Sequence, residues 1–526
     1  MRYGLLLLVP LLLAAAPADE RAESWWRHVL TLAADDMEGR AAGSDGHRRA
    51  SDYVAARFAE YGLAPAGENG TYFQAVTLEE RRFPAGGSRA ALVTGGAGAP
   101  LAIPGDIFFR IAGGPPPERV EAPLVFVGYG LHLPEAGHDD FAGVDLRGRI
   151  AVVINGAGPE ALPGALKSHA RADRSRLLLE RGAVGVILVS PLAPAEQPWA
   201  SFSRIADMPG MYPASAAVRT LSAPFLTAYF NPAEAERLFA GSGHSFADIS
   251  EEAVASRPIA GFALRPRLAA TLTAESRTIE TRNVVARLPG SDPALAAQHV
   301  VLTAHLDGIG IGAPVAGDAI HNGALDNAAG VAALLDIAET YRGANARPRR
   351  SLLFVALTAE EKGLLGSRWF VRAPTVPRDS IVANLNYDMA LPLFPLTSVI
   401  ALGAEDSSLG RDARAIGAAM GLPLAPDPFP ERNSFVRSDQ YSFIEAGVPA
   451  LAFKFGLRAG SPEAEIERDW RATRYHGPTD DVAQPVHRLD EIRLHDFIAA
   501  LALRIADAEA RPRWNADSFF RRFARD

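Results

Sequence analysis

The sequence predicts an α/β fold, a mainly parallel mixed sheet flanked by helices and interrupted by a smaller β-rich insert. Three observations predict it. In the C-terminal half the apolar runs "HVVLTAHLD" and "SLLFVALT" alternate with a segment of helical spacing, and a further run, "PALAFKF", follows. Strands alternating with helices imply a mainly parallel sheet. Between residues 116 and 275 the character changes to short runs rich in valine and isoleucine, "APLVFVGYG", "GRIAVVI" and "GAVGVILVS", bounded by glycine or proline as buried strands are. Third, 526 residues exceed one ordinary domain of about 150.

The N-terminus, "MRYGLLLLVPLLLAAAPADE", has one arginine, an apolar stretch and small residues up to Ala18. That is the layout of a secretory signal peptide over residues 1–18, and the apolar run is shorter than the roughly 20 residues a membrane span needs. The expectation is an exported protein, periplasmic or extracellular, with no stable membrane insertion after cleavage. Ser24 to Thr71 reads as two helices. In the second, Ala50, Val54, Phe58 and Tyr61 share a face, and Gly62 stands where a helix ends. Residues 19–115 are expected to belong with the C-terminal core, 116–275 to form the insert, 276–510 the core and 511–526 a short basic tail. His132, His138 and His169 lie in the insert without metal-ligand spacing, which makes it non-catalytic.

Composition narrows the chemistry. Lys and Arg total 53 against 61 Asp and Glu, a formal charge of -8, with no polybasic run, so nucleic acid is not an expected partner. Cysteine is absent. Disulfides, thiol nucleophiles and thiolate metal sites are thereby excluded, and any metal must be held by nitrogen and oxygen.

The ionisable residues of the third section gather at strand ends. His305 and Asp307 close "VVLTAHLD"; Asp326 precedes the helix of "NGALDNAAGVAALLDIA"; Glu360 and Glu361 follow "LLFVALT"; Asp388 ends "NLNYDMA"; His476 lies in "RYHGPTDD". In open parallel sheets ligands bind beyond the carboxyl ends of the strands. Each signal has a plainer explanation. Asp326 or Asn327 suits a helix N-cap, and the glutamate doublet suits the positive end of a helix dipole. Together they suit a pair of divalent ions. Zinc accepts imidazole nitrogen and carboxylate oxygen. Two ions about 3.5–4 Å apart can activate one water between them, and one aspartate can bridge both. Adjacent glutamates leave the backbone in different directions, so one can coordinate while the other takes the water's proton. Asp307, two residues beyond His305, can turn back to the imidazole and fix its tautomer.

The stretches "AHLDGIG", "NGALDNAAG", "ALTAEEKGLLGS", "NYDM" and "YHGPTD", in that order, resemble the zinc exopeptidases of the M28 peptidase family that carry an inserted protease-associated (PA) domain. "DMEGRAAGSDGHRRASDYVAARFAEYGLAP" resembles the family's N-terminal helices, and "VFVGYG" through "GAVGVILVS" resembles the PA insert. The resemblance implies a zinc-exopeptidase fold and two Zn2+ ions per chain. It implies that Asp326 bridges the ions, that His305 and Asp388 hold one, and that Glu361 and His476 hold the other. Glu360 would be the general base, Asp307 would orient His305, and Asp480 would steady the loop around His476. The sequence departs from relatives at Gln440, where many have histidine after Ser438-Asp439, and at His321, where many have an aromatic residue. His321 is expected to be pocket wall or surface and not a ligand.

The implied activity is hydrolysis of peptides, by an aminopeptidase or, on the same scaffold, by a carboxypeptidase or dipeptidase. Arg432 and Arg437 could meet a substrate carboxylate in the latter case. A receptor-like binding protein is the non-enzymatic alternative, disfavoured because every ligand and the base are present.

Overall fold

The computed structural model describes residues 16–526 apart from 112, 193–198, 204, 205, 207, 525 and 526. Most of the expected leader, residues 1–15, therefore lies outside the described residues. Among the described residues no helix is long and apolar enough to cross a membrane. The chain divides into two compact units, Met1–Val76 with Glu280–Asp526, and Thr77–Ile279.

In the first unit six strands carry the architecture: β1 (Glu275–Leu288, from Glu280 onward), β2 (His299–His305), β3 (Ser351–Leu357), β4 (Ile381–Asn386), β5 (Val399–Leu402) and β6 (Ala450–Phe455). They lie in the order β1-β3-β2-β4-β6-β5. The four central strands pair in parallel, whereas β1 and β5 flank them antiparallel. The sheet is thus mixed, with a parallel centre. Every residue of β2 and β3 is buried, as expected of strands covered on both faces.

Alternation sorts their side chains. Val300, Leu302, Leu352 and Phe354 join a core with helices α1 (Ala18–Leu32), α2 (Asp45–Glu60), α3 (Ala329–Gly343) and α4 (Arg488–Asp507). Val301, Leu353 and Val355 pack on the other face with Phe370 and Phe443. α3 is apolar almost all round because it is enclosed almost all round. Its ends are tied by Trp25 Nε1 donating to the Ala329 carbonyl at 3.1 Å and by Tyr341 donating to the Ala499 carbonyl at 2.7 Å. α2 stops at Glu60, and Gly62, at φ +76°, takes the left-handed turn that ends it.

Since β2 has β3 on one side and β4 on the other, the chain reverses its winding direction at β2. The carboxyl ends of these strands form the crevice in which such sheets hold ligands.

The second unit is built on an eight-stranded sheet whose middle strands, Arg119–Phe126, Ile150–Ile154, Gly185–Val189 and Leu226–Phe230, pair in parallel. A helix runs from Gly164 to Glu180 between the second and third of these strands. Val125, Val153, Leu178 and Val186 share its core.

Candidate metal centre

Each candidate residue leaves its strand or loop at the crevice of the first unit. His305 is the last residue of β2; Asp388 stands two residues beyond β4; Glu360 and Glu361 follow β3 after Thr358 and Ala359, the latter at φ +54°. Asp326 lies in the wide turn Ala324–Ala328 that leads into α3. There Asn327, and not Asp326, acts as the cap. Its Oδ1 accepts the Gly330 N–H at 3.1 Å, while its amide donates to the Tyr387 carbonyl at 2.9 Å, so one side chain fixes the approaches to both Asp326 and Asp388.

Asp326 divides its two oxygens. Oδ1 is 3.3 Å from His305 Nε2, which is also 3.3 Å from Asp388 Oδ1. Oδ2 is 3.3 Å from His476 Nε2, which is 3.2 Å from Glu361 Oε2. Two triads result, His305–Asp326–Asp388 and Asp326–Glu361–His476. Donors at about 2.1 Å from a tetrahedral ion stand roughly 3.4 Å apart, so both triads have the spacing of a divalent-ion site. Glu361 Oε1 is buried with no hydrogen-bond partner, a further oxygen left over for coordination.

The electrostatics point the same way. Among the described residues no lysine or arginine forms an ion pair with Asp326, Glu360, Glu361 or Asp388. Burial pushes the Glu360 carboxyl well above the usual carboxylate range; His305 opposes the rise, while Asp388 and Glu361 add to it. Burial acts to lower His305, but the carboxylates of Asp388, Glu360 and Asp326 outweigh it and raise the imidazole well above its ordinary value. Concentrated negative charge of this kind is what a cation relieves.

The surrounding layer shows how Asp307 and Asp480 are engaged. Asp307 does not turn its carboxylate to His305, from whose Nδ1 it stands 4.0 Å. The Asp307 backbone carbonyl accepts from Nδ1 at 3.0 Å instead, leaving Nε2 with its lone pair toward the crevice. Its carboxylate accepts the N–H groups of Glu360 at 3.0 Å and Glu361 at 3.3 Å, so it grips the doublet's backbone. Asp480 likewise acts on Asp326 more directly than on His476: it accepts from the Leu325 and Asp326 N–H groups at 3.0 and 2.9 Å. Burial raises both Asp307 and Asp480 to about 6.

His321 lies outside both triads, its Nδ1 2.9 Å from the His476 carbonyl. Gln440 accepts from Asn386 at 2.7 Å and donates to the Phe435 carbonyl at 2.9 Å, a bracing role beneath β4. Arg432 is bound to Glu467 at 2.9 Å and Arg437 is exposed.

One residue escaped sequence reasoning. Arg40 is fully buried and spends its guanidinium on four backbone carbonyls, those of Leu306 (2.9 Å), Leu32 (2.6 Å), Asn322 (2.7 Å) and Gly323 (2.9 Å). It ties the segment after His305 to the turn before Asp326. Nothing local in "DMEGRAAG" marks it, because most of its partners are more than 260 positions away.

A strand-end crevice with this donor set and a further carboxylate beside it could hold a pair of divalent ions. Comparison with known proteins finds one family match: residues 283–501 match Peptidase family M28. Leupeptin-inactivating enzyme 1 of Streptomyces exfoliatus is 30% identical over 194 residues, 36% of this chain and 39% of that one, so the match spans about two fifths of the relative's length. Among solved structures, an aminopeptidase from Aneurinibacillus sp. strain AM-1 superposes with a TM-score of 0.55 at 19% identity, covering 93% of this chain and 95% of that chain. A zinc aminopeptidase from Bacillus subtilis gives a TM-score of 0.49 at 18% identity, covering 93% and 96%. At such identities the likeness is one of fold.

Proposed function

We propose that this protein is an exported exopeptidase that uses two zinc ions to remove N-terminal residues from peptides. The observation that carries the reading is the division of Asp326, one oxygen to each triad. His305 and Asp388 would complete one ion's protein ligands, and Glu361 and His476 the other's. Ions bound there supply a Lewis acid for the scissile carbonyl and an acidified water.

The chain's own residues do the rest. Glu360, which binds metal in neither triad, takes a proton from the attacking water as the water oxygen bonds to the carbonyl carbon. It returns that proton to the departing amine nitrogen as the C–N bond breaks. Burial suits it to hold the proton between the two transfers. Asp307 fixes the doublet so that Glu360 and Glu361 keep separate tasks. The leader-like N-terminus supports export, and the unit Thr77–Ile279 would be the protease-associated insert.

Glu360→Gln tests the reading. It is expected to lower kcat by about 10²–10⁴-fold or more while bound zinc stays near two per chain. Retained activity would remove Glu360 as base. Cleavage of N-acetylated peptides in preference to free-amine peptides would exclude an aminopeptidase.

A further inference from the structure

Next to Asp388, from Met389 onward, lies a small pocket of about 30 Å3. Met389, Leu391, Phe394, Phe429 and Phe455 give it apolar walls, and three cations, Lys454, Arg432 and Arg471, line it together with two carboxylates, Asp427 and Glu467. The two arginines are already engaged. Both Glu467 oxygens accept from Arg432 at 2.9 Å, Arg471 pairs with the same carboxylate, and the Arg432 guanidinium lies 4.0 Å from the centre of the Phe429 ring.

Lys454 is not engaged in that way. Its ammonium reaches only the backbone carbonyls of Asp388 and Met389, at 3.4 and 3.3 Å, and among the described residues no carboxylate lies within 4.0 Å of it. Asp388 is the residue whose Oδ1 faces His305, so the ammonium is held on the backbone of a residue of the first triad.

We propose that this pocket receives the side chain of the residue released, and that Lys454 selects an acidic one, aspartate or glutamate. The inference rests on the aminopeptidase reading and gives it a substrate class. The desolvation of Lys454 has been met in folding. An apolar side chain filling the pocket strips the remaining water from an unpaired ammonium, whereas a carboxylate turns the same burial into a charge-assisted hydrogen bond. The methylenes of glutamate meanwhile pack on Met389, Leu391 and Phe394. A site built around a polar contact rejects the ligand that lacks it far more strongly than an apolar pocket rejects a missing methylene.

The test is a panel of coumarin amides of Glu, Asp, Gln, Leu and Lys, read as kcat/KM with zinc-loaded wild type, Lys454→Met and Lys454→Gln, together with Ala-Leu and its amide. The wild type is expected to favour Glu over Gln and Leu by at least about tenfold, and both variants to bring the Glu-to-Gln ratio within about threefold. If Lys454 merely braces the Asp388 loop, its variants depress all five amides alike and keep the ratio, which overturns the proposal. So does a wild type that cleaves Leu or Gln as well as Glu, a result that needs no folded variant. A preference for Ala-Leu over its amide with Glu and Gln equal moves the recognised carboxylate to the peptide's C-terminus and also overturns it. Turnover of no free-amine substrate defeats the aminopeptidase reading and this proposal with it.

Discussion

The first unit buries charge in two places and in two ways. Between α1, α3 and α4, Arg21 donates to Asp336 at 2.7 and 3.1 Å and to Asp496 at 2.6 Å. Asp336 also meets His495 Nδ1 at 2.9 Å; His495 Nε2 meets Glu491 at 3.3 Å, and Tyr387 donates to the same Glu491 oxygen. Two cations, Arg21 and His495, alternate there with three carboxylates, so most of the charge is met within the network. At the centre, two histidines face Asp326, Glu360, Glu361 and Asp388 with no lysine or arginine paired to them. Both sites are buried in the same fold, and Tyr387 of the one adjoins Asp388 of the other. The difference is in how the charge is met: the network meets most of it from within, whereas the centre is left with more carboxylates than histidines.

The strongest way to sharpen that contrast is to withdraw the cations. Chelation is expected to abolish activity, and zinc or cobalt to restore it. Zinc at about a thousand times its dissociation constant should stabilise the fold by about 4 kcal/mol, read as a shift in the urea midpoint. A chelator-insensitive enzyme would break the contrast. A variant in the helix network, by comparison, should leave the metal-induced shift intact.

Asp336→Asn supplies that variant. Removing one partner from a buried ion network strands the others and costs about 3–5 kcal/mol. Arg21 and His495 lose their shared carboxylate, so urea unfolding should show that loss while zinc content stays at the wild-type value. Loss of zinc with unchanged stability would mean that the two sites are not separable.

The same contrast explains what could be read in the sequence. His305, Asp326, Glu361, Asp388 and His476 were legible because a parallel sheet places its strand ends together, and the motifs sit at those ends. The α/β architecture was legible for a related reason: β2 and β3 are short, mostly apolar runs, buried throughout, of the kind a doubly covered sheet accommodates. The roles of Asp307 and Asp480 were legible in place but not in detail, since whether a carboxylate meets an imidazole or a backbone N–H depends on a few degrees of turn. Arg40 and the Arg21–Asp336–His495 network were not legible. Their partners are backbone carbonyls or residues hundreds of positions away, and each residue alone looks like a helix-surface charge.

The smallest expected effect concerns histidines buried with opposite consequences. Burial lowers His28 to about 4, with Arg57 adding to the shift, and the ring rests neutral between the hydroxyls of Tyr53 and Tyr61. Burial acts to lower His495 as well, but Asp336 and Glu491 outweigh it and raise the ring to about 9. The signs follow from which state binds more protons. As pH falls from 6.5 toward 4, the unfolded chain protonates His28 and the folded one does not, so the stability due to a neutral His28 is present above 6.5 and lost below it. His495 is charged when folded. Its contribution is complete below 6.5 and is lost as pH rises through about 9. Each proton contributes a slope of up to about 1.4 kcal/mol per pH unit. Urea unfolding at fixed zinc should therefore flatten on the acid side in His28→Gln and on the alkaline side in His495→Gln. Flattening of both limbs by either variant alone would show that the helix network and the neutral His28 pocket titrate as one unit.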